Sequence, residues 1–108
     1  MGLDVRLDCG CCDSPLYQGH ITHNLGAMAD DAGIYPAVWR PEEVGIERAA
    51  QMVDHLRDGI ALLKRHPKRF QKFNPSNGWG SYDGLIAFLE RYLTACERYP
   101  EARVNASR

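Results

Sequence analysis

The sequence has almost no net charge: 13 lysines and arginines stand against 14 aspartates and glutamates, giving −1 with the histidines neutral. Without a surplus of one sign there is no global field to draw in nucleic acid or an anionic membrane, so no specific nucleic-acid partner and no membrane partner is expected. Long apolar runs are lacking too. No segment approaches the ~18 residues a membrane span needs, and Met1-Gly2-Leu3-Asp4-Val5-Arg6 lacks the apolar core of a signal peptide. The expected compartment is therefore cytoplasmic, where the four cysteines read as thiols or metal ligands rather than disulfides. Gly-x-Ser-x-Gly, the P-loop, His-Glu-x-x-His and Gly-x-Gly-x-x-Gly are all missing, which removes the common signatures of acyl, phosphoryl, metalloprotease and dinucleotide chemistry. Repeats, low-complexity tracts and domain linkers are missing as well.

What is present is the material of one α+β domain over residues 1–108. A chain of 108 residues, 44% hydrophobic and 25% charged, buries roughly two thirds of its unfolded surface without staples. Leu3, Val5 and Leu7 alternate with Asp4, Arg6 and Asp8, the pattern of a half-buried strand. Cys9 to Pro15 reads as a turn and Leu16 to Ile21 as the second strand of an antiparallel hairpin. Thr22 or Asn24 caps a short helix over 24–32, and Gly33 suits its exit. Ile34 to Arg40 reads as an aromatic loop, and Pro41-Glu42-Glu43 as a first helical turn.

Ile46, Ala49, Ala50, Val53, Leu56, Ile60 and Leu63 form one apolar stripe, predicting a long helix over 46–65 stopped by His66-Pro67. A further helical turn follows over 67–73. Ser81 then caps a last helix whose stripe is Leu85, Phe88 or Leu89, Tyr92, Leu93 and Cys96, and which ends near Tyr99-Pro100. The tail from Ala102 to Ser107 alternates again. Placed beside the hairpin as a third strand, it completes a small antiparallel sheet packed against the long helix, the C-terminal helix and the shorter ones.

Phe73-Asn74-Pro75-Ser76-Asn77-Gly78-Trp79-Gly80-Ser81-Tyr82 is too rich for a connector. It holds backbone-setting proline and glycines, amides able to pair with a ligand, and flat aromatic surface. Thr22-His23-Asn24 and Trp39-Arg40-Pro41-Glu42-Glu43 bring similar residues to other predicted helix starts, where free N–H groups favour anions. The ligand-binding set expected from these segments is His23, Asn24, Arg40, Asn74, Asn77, Trp79 and Tyr82. Arg40 would hold negative charge, the asparagines would orient the ligand, and an aromatic would stack on it. The ligand class is small and polar, anionic or nucleotide-derived. The plainer alternative is that these residues cap helices and the tryptophans fill the core.

Two other constellations carry chemistry. Cys9 and Cys12 have zinc-knuckle spacing, and His20 and His23 follow at His-x-x-His spacing, so zinc is the candidate metal. The gap between the two pairs is shorter than in zinc fingers. His23 as general base with Glu42 or Glu43 makes a hydrolase or transferase reading.

The blocks Ile21-Thr22-His23-Asn24-Leu25, Ala32-Gly33-Ile34-Tyr35, Trp39-Arg40-Pro41-Glu42-Glu43 and Phe73-Asn74-Pro75-Ser76-Asn77-Gly78-Trp79-Gly80 together resemble a family of small bacteriophage and bacterial proteins. The resemblance implies no defined activity or cofactor. It does imply a context in which small accessory proteins bind a host protein or capture a nucleotide signal. A module that inhibits or adapts a host protein is thus the alternative function, its exposed aromatics serving as hot spots. A three-stranded sheet also leaves an edge to cover, so a homodimer is expected.

Overall fold

The computed structural model describes residues 2–9, 15–74 and 80–108. Strand β1 (Gly2–Asp8) lies between β2 (Tyr17–Thr22) and β3 (Arg103–Ser107), antiparallel to both. Period-two patterning explains the layer this sheet makes. Leu3, Val5 and Leu7 are at most 1% exposed, and Asp4, Arg6 and Asp8 point to the opposite face. The register sets Asp4 between His20 and Ser107, and Arg6 between Gln18 and Asn105.

Helices cover the apolar face. The two long ones are α3 (Ala49–Arg65) and α5 (Tyr82–Arg98), which pack along each other while α5 lies against β2. Met52, Leu56 and Leu63 from α3 meet Leu85, Phe88, Leu89 and Tyr92 from α5 in one core cluster with the strand residues. Burying each of these side chains contributes roughly 1.5–3 kcal/mol. The Ser81 hydroxyl accepts from Gly84 N at 3.0 Å, as its capping position predicts. Helix α4 (Pro67–Gln71) is the expected short turn after the proline.

Three local expectations are corrected. The segment after β2 opens as a tight turn over His23–Leu25, with Thr22 Oγ1 accepting from Asn24 N, and α1 proper spans Gly26–Asp31. Residues 34–40 are not a loop, because Tyr35–Trp39 forms helix α2. Its short cycle was hidden by the aromatics. Ile34, Ala37 and Val38 are all buried, at the i, i+3, i+4 spacing of a helix face, and Pro36 fits the first turn.

The long helix also starts later than its stripe. A tight turn over Pro41–Val44 ends at Gly45, whose φ of 73° is the left-handed conformation that glycine tolerates. Residues 46–48 then run extended beside β3, with Val104 N donating to Glu47 O at 2.9 Å. Ile46 is buried without being helical. Gln51 Oε1 accepts from the N–H groups of Glu47 and Arg48, so the helix start is held by its third residue.

Candidate functional site

The turn at His23–Leu25 is the point where the chain's polar segments meet. Gly80, at φ 99°, sits so close that a Cβ there would lie 2.8 Å from Thr22 Cγ2 and 2.9 Å from Leu25 Cγ. That contact brings the end of the 73–82 segment onto the turn. From the other side, the indole Nε1–H of Trp39 donates to His23 Nδ1 at 3.1 Å. Trp39 and Gly80 therefore both meet the turn over residues 22–25.

Trp39 is fully buried, so its indole N–H needs a partner inside the protein. His23 is that partner. An indole nitrogen only donates, so the Nδ1 that receives it carries a lone pair, and the neutral ring holds its proton on Nε2. Tyr35, one helical turn before Trp39, stacks on it with centroids 5.2 Å apart and planes 16° apart. Together with Gly26, Ala27 and Asp30 of α1, these three side chains line an open cleft of about 510 Å³. Among the described residues the Asp30 carboxylate has no ion-pair or hydrogen-bond partner, so the cleft offers one N–H donor, one carboxylate and the aromatic surface of Tyr35.

The charged residues next to the cleft are paired with one another. Arg40 Nη1 bonds Glu43 Oε2 at 2.9 Å, and the Glu43 carboxylate followed by the Tyr35 hydroxyl raise the Arg40 pKa. Arg108 Nη1 donates both to Trp39 O at 2.8 Å and to Glu42 Oε1 at 2.7 Å, which fastens the end of β3 to the last carbonyl of α2. Its own backbone N–H and then Arg108 hold the Glu42 carboxyl below the usual carboxylate range.

Several expected site residues have structural duties instead. Tyr82 is buried, its hydroxyl donates to Leu63 O at 2.5 Å, and burial raises its pKa. Asn74 Oδ1 accepts from Tyr82 N at 2.7 Å, so the oxygen of this amide caps α5. Asn24 is exposed and enters the turn through its backbone. Asn77 and Trp79 lie outside the described residues. Of the expected ligand set, His23 lines the cleft and Arg40 borders it, already bound to Glu43.

The metal and general-base readings both meet the same obstacle. The His23 lone pair is taken by Trp39, and its other nitrogen bears the proton, so neither nitrogen is open to a metal or to a substrate proton. Among the described residues His23 bonds neither Glu42 nor Glu43, which are held by Arg108 and Arg40. His20 sits opposite Asp4 and bonds its carboxylate at 2.8 Å. Cys9 lies five residues further along β1, about 16 Å away at ~3.3 Å per residue, beside Leu16 and Tyr99–Ala102. Side chains standing perpendicular to the sheet do not close that gap. Cys12 lies outside the described residues, and no group of three metal-ligating side chains gathers among the rest.

Asp30, Tyr35 and Arg108 were not marked by sequence pattern. Tyr35 and Trp39 at i, i+4 around Pro36 gave the one local signal, for a helix with two aromatics on one side. Asp30 and Arg108 reach the site through tertiary packing alone. No family model, curated protein or solved structure matches the chain. No helix among the described residues is long and apolar enough to cross a membrane.

Proposed function

We propose that this protein binds a small polar ligand of nucleotide type, taken by its base in the cleft between α1 and α2. The observation that carries the reading is the Trp39–His23 bond, which fixes the imidazole as an N–H donor at Nε2. With Asp30 as acceptor, the cleft complements an edge that presents a carbonyl beside an N–H, and the partly exposed Tyr35 ring, backed by the buried Trp39, provides stacking surface. Arg40 contributes little to binding, because a ligand anion would have to displace Glu43 first. This departs from an anion-led site, in which Arg40 leads.

Thermal unfolding in the presence of nucleosides and their phosphates tests the reading. At least one nucleoside raises the Tm of the wild type, its monophosphate does so to a similar extent, and Asp30→Asn abolishes the shift while keeping the fold. No shift across the panel rejects the reading. A shift confined to phosphorylated ligands and lost in Arg40→Ala restores the anion-led site.

A second reading is a protein-interaction module for a host protein. It is favoured by the outer face of the sheet, where Asp4, Arg6, Gln18, His20, Asn105 and Ser107 line a solvent-open hollow of about 570 Å³. Such a mixed-charge surface suits a polar protein patch.

A further inference from the structure

The two edges of the sheet are treated differently, and the backbone shows how. Val104 N donates outward to Glu47 O, and Arg48 bridges Arg103, so the β3 edge is closed over that stretch. Because an antiparallel strand alternates its bonding side, Arg103, Asn105 and Ser107 must then face β1. Their opposites Asp8, Arg6 and Asp4 use their backbone groups on β3. That leaves Leu3, Val5 and Leu7 to bond β2, in agreement with Leu16 N donating to Leu7 O at 2.7 Å. Ile21, Gly19 and Tyr17, which pair with them, consequently face inward. The N–H and C=O groups of Gln18 and His20 point out of the sheet.

Among the described residues nothing bonds these four groups. Nor does β2 carry the usual guards of a free edge. Tyr17-Gln18-Gly19-His20-Ile21-Thr22 contains no lysine, no proline and no acidic residue.

We infer that β2 pairs antiparallel with β2 of a second copy of this chain, joining two three-stranded sheets into one. The strand is its own complement under a two-fold axis through Gly19. Gln18 then lies opposite the partner's His20, and His20 opposite the partner's Gln18, so each pair exchanges two backbone hydrogen bonds. An uncharged strand meets its copy without repulsion. Gly19 faces Gly19 at the close, non-bonded position, where the absence of side chains lets the strands approach. On the inner face Tyr17 meets the partner's Ile21. Beside Tyr17 a groove of about 620 Å³ runs along α5, where Leu16, Ala95 and Tyr99 lie among Glu90, Arg91, Thr94 and Arg98.

Sedimentation velocity over a wide concentration range tests the pairing, with Gln18→Pro as the probe. Proline at this position removes an outward N–H and leaves the bonds to β1 intact. The wild type sediments as a dimer, and Gln18→Pro as a monomer with an unchanged circular dichroism spectrum. Should the proline variant fail to fold, the double variant Gln18→Lys, His20→Lys sets lysine against lysine across the axis and gives the same monomer. A wild type that stays monomeric overturns the inference, as does a folded edge variant that remains dimeric.

Discussion

Trp39 and His23, sixteen residues apart, are joined by one hydrogen bond of 3.1 Å from the indole nitrogen to the imidazole Nδ1. The bond links the end of α2 to the turn after β2. It satisfies a polar atom on a side chain with no solvent exposure, and it sets which imidazole nitrogen carries the proton. Stability and the chemistry of the cleft thus depend on the same contact. Replacing His23 with Ala orphans the indole N–H, and the expected loss is about 1–3 kcal/mol in denaturant unfolding. A change within a few tenths of a kcal/mol would show that the indole is satisfied some other way.

Tyr92 presents the opposite case. Its ring is fully buried between Phe88 and Tyr17, and its hydroxyl finds no hydrogen-bond partner among the described residues. Burial drives its pKa far up. Tyr92→Phe removes a stranded polar atom and keeps the ring, so it raises stability by about 1 kcal/mol. Destabilisation on the same substitution would reveal a partner for the hydroxyl.

Cys96 sits one helical turn beyond Tyr92 and is likewise fully buried. Burial pushes its thiol up to about 12, so almost no thiolate exists at neutral pH. Under native conditions iodoacetamide leaves the Cys96 peptide unmodified, and after unfolding it alkylates that peptide fully. Peptide mass mapping reads both states. Rapid native modification would contradict the packing of α5 against β2.

Acid sensitivity follows from Asp31 and Glu42. A hydrogen bond from Arg69 lowers Asp31 from its ordinary 3.8, and a backbone N–H followed by Arg108 lowers Glu42 from its ordinary 4.5. Both folded values lie below the unfolded ones, so each group's contribution is complete above its unfolded value and is lost as pH falls through the folded one. Unfolding free energy attributable to these pairs stays level down to about pH 5 and declines below it. Asp31→Asn flattens that decline. Equal acid slopes in the wild type and the variant would remove Asp31 from the account.

The sheet was legible because its signal is local. Leu3, Val5 and Leu7 declare a face within six residues, and the alternating tail around Val104 declares a third strand. The caps at Ser81 and Thr22 and the stop at His66-Pro67 were readable for the same reason. The site was less legible. His23 stands out in the sequence and lines the cleft, but its partner Trp39 comes from a helix only five residues long, too short for a periodic pattern to stand out. Tyr82 and Asn74 looked like ligand contacts because a capping amide and a buried hydroxyl use the same atoms that bind ligands. Arg108 and Glu42 meet from 66 positions apart, a distance at which no spacing rule operates.

The most direct measurement is a long-range ¹H–¹⁵N correlation spectrum of His23, recorded with and without the nucleoside that stabilises the protein. The free protein should show a neutral ring with Nδ1 unprotonated and Nε2 protonated. On titration, the His23 ring and the Trp39 indole N–H resonances should move together. A ring protonated at Nδ1, or resonances that stay fixed at saturating nucleoside, would contradict the cleft as the binding site.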